Sequence, residues 1–367
     1  MIEKLVATFL LGMLISVQAF AHDDVAQIEK EYASIEFPSF VTQWDSQDFD
    51  KLGRVWTLLD KYIGLRVEKE NAVDPLSIQN IVSQFDDDLT VKAFSLGRQA
   101  TIVGIDWEEP DLGHLLIVSL RPGQTNHVHA IDLDRLRVAA STSLGRVMPG
   151  VGSIVVLPDD ADGNHRFYVD SFRYQPAGGL RGGQFSVWQW NGRAVKQLIA
   201  DEYQYSIEMD PAGAVLDRDV ISIRHKEFFK TLQFCNICAG RQMIRRYRVT
   251  ARGIIDLGEA SQTPELDMVD ALFTRIKEGK PVGGLASPTA IATVTQYWRD
   301  WEQQQGQIFF VQKNEIRQHD NEKSLCFSVT KGVFLSNEET DPLQFDFSND
   351  NGHLAITGAH LEPSGCS

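Results

Sequence analysis

Gln184-Phe-Ser-Val-Trp-Gln-Trp-Asn-Gly-Arg-Ala-Val-Lys-Gln-Leu198 is the stretch whose reading decides the fold class of this chain. Its first half is dense in aromatic and β-branched residues, Asn191-Gly192 supplies a turn, and a second short run follows, so it reads as a β-hairpin. Trp188 and Trp190 are two apart and share one face of the predicted strand. The same texture extends outward in both directions, from about Leu89 to about Leu257. Short β-rich runs at Ala100 to Asp106, His114 to Leu120, Ser153 to Leu157 and Arg166 to Tyr174 are separated by Gly, Pro, Asn and Asp clusters. Runs ending at Ile131-Asp132-Leu133, Trp188-Gln189-Trp190 and Tyr247-Arg248-Val249 recur roughly 58 residues apart, which suits a unit of three to four strands used three times.

Helical patterns flank this β-rich middle. On the N-terminal side, Leu52, Val55, Trp56, Leu59, Tyr62 and Ile63 recur at helical spacing. Asp74 before Pro75 makes an N-cap and first-turn proline for a helix carrying Leu76, Ile78, Ile81, Val82 and Phe85. Asp24 to Ile35 reads as a further short helix. On the C-terminal side, Leu266, Val269, Leu272, Phe273 and Ile276 form one apolar stripe, and Ser287 caps a second helix bearing Ile291, Val294, Trp298 and Trp301. Strand-like runs follow at Ile308 to Gln312, Leu325 to Thr330, Leu343 to Phe347 and Leu354 to Leu361, with Asn349 to Gly352 as a hairpin turn.

The hairpin at Gln184 to Leu198 resembles the outer hairpin of blades in secreted FG-GAP/VCBS-type propeller repeats. That resemblance implies a propeller-like or open antiparallel sheet for the middle region. Two helices followed by an antiparallel sheet resemble the NTF2-like or cystatin-like layout, which hosts both enzymes and binding modules. The expected architecture is therefore α+β: a signal peptide over residues 1–21, a helical segment over 22–88, a β-rich repeat-like domain over 89–262 and an α+β domain over 263–367.

The apolar run Leu5 to Val17, followed by Ala19-Phe20-Ala21, reads as a Sec signal peptide cleaved before His22. No cysteine lies near the cleavage point to carry a lipid, and no later run has the length of a transmembrane helix, so a periplasmic or secreted protein is expected. The net charge of −15 opposes nucleic acid as a partner, and the basic cluster Arg241 to Arg248 sits within an acidic whole. In an oxidising compartment the four cysteines are expected to pair as Cys235 with Cys238 and Cys326 with Cys366. The Cys-x-x-Cys pair lies between strand-like runs, Phe228 to Phe234 and Gln242 to Val249, instead of at the helix N-terminus a redox thiol uses.

Four further features carry chemistry. His127 and His129, two apart on a strand, can offer two imidazoles to zinc, with Asp132 or Asp134 completing the shell. Asp160 and Asp162 lie in an Asp-Asp-Ala-Asp-Gly-Asn turn similar to part of a calcium loop, although Pro158 stands where its first carboxylate belongs. Trp188 and Trp190 can form a sugar-stacking platform or a buried pair. Gly178, Gly179, Gly182 and Gly183 lead into a strand and lack the helix N-terminus of an anion site. No Gly-x-Ser-x-Gly elbow, His-Glu-x-x-His, Walker loop or dinucleotide fingerprint is present. The function expected is therefore an exported, non-catalytic binding or scaffolding protein of the bacterial cell envelope or exterior, with a protein or glycan partner. The alternative is a metal-dependent periplasmic hydrolase built on His127 and His129.

Overall fold

A computed structural model describes residues 24–37, 46–107, 112–120, 127–131, 150–173, 180–206, 213–227, 231, 241–303, 310–319, 322–330, 343–350 and 353–361. The fold is β-rich, with antiparallel sheets accompanied by helices. Its two compact units are assembled from non-contiguous segments. The first comprises Met1–Tyr174, Gly183–Glu202 and Val249–Ile254, and the second comprises Gln175–Gly182, Tyr203–Arg248 and Ile255–Ser367.

In the first unit, helices α1 (residues 24–32), α2 (Ser46–Glu70) and α3 (Pro75–Phe85) pack on a sheet of β1 (Leu89–Ser95), β2 (Ala100–Trp107), β3 (Leu112–Ser119) and β4 (Val128–Ile131). The predicted stripe of α2 is its buried face: Leu52, Val55, Trp56, Leu59, Tyr62 and Ile63 all enter one core. The cap of α3 also forms as expected, with Asp74 accepting from Ser77 N at 3.1 Å and from Ser77 Oγ at 2.6 Å. The helices therefore share a core with β1–β4.

Both faces of that sheet are apolar. Val103, Ile105, Leu116 and Val118 point toward the helices, while Ile102, Leu115 and Ile117 point toward a second layer. This layer comes from β5 (Gly150–Leu157), β6 (His165–Arg173), β7 (Leu180–Trp190) and β8 (Val195–Ser206). Gly104 of β2 permits the close approach of β5, because a Cβ there would stand 2.7 Å from Val151 Cγ1 and 2.8 Å from Ile154 Cδ1. A polar clip fastens the same contact. Lys92 Nζ donates to Asp106 Oδ2 at 3.0 Å, Val151 O at 2.6 Å and Gly152 O at 2.8 Å.

Strands β9 (Gly213–Asp217), β10 (Val220–Glu227), β11 (Arg241–Thr250) and β12 (Gly253–Ser261), which belong to the second unit apart from the β11–β12 turn at Val249–Ile254, form antiparallel pairs, with β10 between β9 and β11. Further on, α4 (Pro264–Lys277) and α5 (Pro288–Gln303) pack on a sheet ordered β13 (Phe310–His319), β14 (Glu322–Thr330), β15 (Leu343–Asp350) and β16 (His353–Leu361). The α4 stripe meets Val294 and Trp298 of α5 and Phe345, Phe347 and Ile356 of the sheet in one core. Ser287 caps α5, its Oγ accepting from Ala290 N at 3.2 Å, and its own N–H donates to Ile356 O at 2.8 Å. β15 and β16 pair through Asn349 with Leu354 and Asp350 with His353, so a hairpin joins them in the stretch where the Asn349 to Gly352 turn was expected, with Asn349 and Asp350 themselves in the strand.

The three repeat-like runs end on β4, β7 and β11. β4 closes its sheet after β3, whereas β7 lies between β6 and β8 and β11 between β10 and β12. Only the last two occupy comparable strand positions. The run expected at Phe228 to Phe234 lies outside the described residues except Thr231, and β10 ends at Glu227.

Candidate functional site

A groove of about 490 Å3 opens in the first unit between α1, α2 and the start of β4. Helical periodicity builds its walls. Asp24, Gln27, Ile28 and Glu31 follow one another around α1, while Leu58, Asp60, Lys61, Gly64, Leu65 and Glu68 do so on α2. His127 and Val128 complete the lining, and Ile28, Leu58, Leu65 and Val128 provide its apolar part. A Cβ at Gly64 would lie 3.8 Å from Val128 Cγ2, an ordinary van der Waals contact, so α2 and the start of β4 are close neighbours here without requiring glycine. Four carboxylates against the single ammonium of Lys61 leave the lining three charges negative.

Two of these carboxylates are held in place. His114 Nε2 donates to Asp60 Oδ1 at 2.8 Å, with the imidazole stacked on Trp56 at 5.0 Å and 6°. Arg54 Nε donates to Glu31 Oε1 at 2.8 Å. Asp24 and Glu68 are exposed and have no partner among the described residues. At the β4 end, His127 is buried and its Nδ1 lies 3.0 Å from Ser119 O. A carbonyl can only accept, so Nδ1 is the donor in this contact, and in the neutral ring that tautomer leaves the lone pair on Nε2.

His129 has different surroundings from His127. Its ring packs 4.8 Å from that of Trp190, and its Nε2 is buried without a hydrogen-bond partner among the described residues. Burial, followed by the neighbouring His127, holds its pKa below the ordinary value. Asp132 and Asp134, the proposed completing ligands, lie outside the described residues. Neither histidine belongs to the two described groups of three metal-ligating side chains with converging donors, His225/Glu227/Glu259 and Asp86/Asp87/Asp88.

The carboxylate of Asp160 organises a turn. It accepts from Asp162 N, Asn164 N and Asn164 Nδ2, each at 2.9 Å, and from Gln189 Nε2, and these donors hold its pKa below the usual carboxylate value. Asp162 contributes its backbone N–H to that turn, and Asp159 Oδ1 accepts from His165 Nδ1 at 2.9 Å. Trp188 and Trp190 both belong to the first unit's core and are 6% and 1% exposed. Trp188 Nε1 donates to Ser186 Oγ at 2.8 Å, so even its polar edge is satisfied internally. The stacking platform is thus replaced by the buried pair, because the shared face points into the layer beneath β2 and β3. Gly178 and Gly179 lie outside the described residues, as do Cys235, Cys238 and Cys366. Cys326 stands in β14, opposite Glu315 and Gln344.

The groove carboxylates carry a sequence signal that the strand texture overshadows: Asp24 and Glu31, and Asp60, Gly64 and Glu68, recur at one-turn and two-turn spacing. What the sequence does not contain is the juxtaposition of those two helix faces.

No protein-family model and no curated protein matches the chain. Among solved structures, it is similar to a glycoside hydrolase family 43 arabinoxylan arabinofuranohydrolase from Bacillus subtilis in complex with cellotetraose. The TM-score is 0.20 and the identity 10%, over 76% of this chain and 50% of that one. It is also similar to polysaccharide lyase Uly1, with a TM-score of 0.15 and 11% identity over 69% of this chain and 57% of that one. The chain thus spans about half the length of these structures, and at such TM-scores neither carries a statement about function.

Proposed function

We propose that this is an exported binding protein of the cell envelope or exterior, and that its groove takes a basic segment of a protein partner. The observation that carries the reading is the pairing of Asp24 and Glu68 carboxylates, which have no partner among the described residues, with apolar lining residues in one groove. Lysine and arginine have this dual character, with an aliphatic stem that packs on apolar surface and a cationic head that seeks carboxylates. The net charge of −15 favours encounter with such a partner. His127 Nε2 adds an acceptor for an N–H donor at the β4 end.

Binding should be measured by calorimetry with a short Lys/Arg-rich peptide at low and high salt, with a neutral oligosaccharide in parallel. Exposed ion pairs contribute up to about 1 kcal/mol each, so Asp24→Asn combined with Glu68→Gln should weaken the peptide roughly 5- to 30-fold. High salt should weaken it as well. Peptide affinity unchanged in the double variant would refute the site. Binding of the oligosaccharide alone would move the reading to a glycan partner. The hydrolase alternative draws on the His127 and His129 pair and predicts a stoichiometric transition metal lost when both become alanine.

A further inference from the structure

The second unit holds a cluster that the groove does not involve. His225 and Glu227 are two apart on β10 and share one face, and Glu259 of β12 reaches the same place. One donor atom from each, an imidazole nitrogen and two carboxylate oxygens, lies within 4.8 Å of the others. His225 is buried and its Nε2 is hydrogen-bonded to Glu259 Oε1, whereas both glutamates are partly exposed. Gly258, with φ +83°, takes a left-handed conformation immediately before Glu259 and turns the backbone locally.

The surroundings provide the order and charge that a divalent cation requires. Arg241 Nη1 donates to Glu227 Oε2 at 3.1 Å and fixes that carboxylate while leaving its second oxygen for another partner. Asp267 in turn holds Arg241, through Nε to Oδ1 at 2.6 Å and Nη2 to Oδ2 at 3.3 Å. Three carboxylates against one guanidinium leave the cluster two charges negative with neutral His225. Such outer-shell bonds orient ligands at metal sites.

We infer that His225, Glu227 and Glu259 form a binding site for a divalent transition-metal ion, with zinc the best fit. Imidazole with two carboxylates is a donor set for the zinc class, whereas calcium and magnesium prefer oxygen alone. Zinc bonds of about 2.0–2.2 Å place tetrahedral donors about 3.4 Å apart, so side-chain rotation can draw these three together while the strands stay fixed. The ion takes the place of the proton shared by His225 Nε2 and Glu259. That proton passes through solvent to Nδ1, so neutral imidazole remains neutral and none is released. Three protein ligands leave a coordination position that partly exposed Glu227 and Glu259 open to water.

Zinc affinity should be measured on the full chain by competition with a chromophoric chelator, and ligand type by the absorption of the Co2+ form. One equivalent should bind, with weak d–d bands and no intense thiolate charge-transfer band. His225→Ala, and independently Glu259→Gln with its fold verified by circular dichroism, should each weaken zinc at least the roughly tenfold that even supporting residues cost at metal sites. The double variant His127→Ala/His129→Ala should retain full affinity. Failure of the natural chain to bind zinc stoichiometrically would overturn the assignment. So would a thiolate band, unchanged affinity in Glu259→Gln, or loss of the ion in the His127/His129 variant.

Discussion

Arg166, on β6 and only 1% exposed, places its guanidinium among backbone carbonyls. Nε and Nη2 donate to Pro158 O at 2.9 and 2.7 Å, Nη2 also to Asp159 O at 3.1 Å, and Nη1 to Thr250 O at 2.8 Å. This fork ties the loop after β5 to the end of β11, beside a backbone bond from Ala161 N to Ala251 O at 2.8 Å. Arg166→Met preserves the stem and removes all four bonds, leaving three carbonyls short of a donor. Each such acceptor costs about 1–3 kcal/mol when buried, and water reaching the turns offsets part of it, so a net loss of about 3–5 kcal/mol is expected. Arg166→Lys keeps the charge but loses the planar fork, and should cost roughly half as much. With a urea slope of about 2 kcal/mol/M, the methionine variant's midpoint should fall by about 1.5–2.5 M. Trp188 and Trp190 report on this core, and their fluorescence should be fitted separately from the second unit's transition, since two compact units need not unfold as one. A methionine variant within about 0.5 kcal/mol of the natural protein would show that the carbonyls find other donors, and the reasoning would fail.

Asp74→Ala removes the α3 cap and should cost about 1 kcal/mol by urea titration. Because hydrogen bonds from Ser77 lower the Asp74 pKa, that contribution is present above the ordinary value of 3.8 and is lost as pH falls through the folded-state value. For His129, burial and His127 depress the pKa, so the unfolded chain takes up the proton first. The first unit should lose stability as pH falls from 6.5 toward the lower folded value, and His129→Leu should flatten that dependence in melting curves. An unchanged slope in the variant would count against it. Gly104→Ala drives a methyl into Val151 and Ile154 and should lower stability by about 1–3 kcal/mol in the same titration, whereas Gly53→Ala, with open space around it, should not destabilise.

Features governed by local rules were legible in the sequence. The α2 and α4 stripes and the Asp74 and Ser287 caps depend on periodicity and neighbouring residues, and the structure places them as expected. What sits beneath a strand was not legible. Residues 100–105 are buried on both sides, so their near-continuous apolar run conceals which residues face the helices and which face β5. β1 begins at Leu89, where the β-rich texture was expected to start, but nothing local shows that the ammonium of Lys92 reaches the carbonyls of β5. The shared face of Trp188 and Trp190 was readable, but its inward direction depends on the layer above. His225-x-Glu227 carries a same-face signal, whereas Glu259 joins it only through a pairing of strands that spacing does not reveal.

The first unit includes Val249–Ile254 as well as most of the chain before Glu202. A ribosome or translocon delivers the chain from its N-terminus, so Arg166 emerges 84 residues ahead of the Thr250 carbonyl it binds. The loop after β5 must therefore wait, its cation hydrated, while the following strands are synthesised or threaded. Contacts this distant in sequence form late, because closing the intervening loop costs entropy before the contact contributes anything. A chain truncated before residue 249 would expose an unmatched guanidinium and an open turn to proteases, and its cleavage should begin between Pro158 and Asn164.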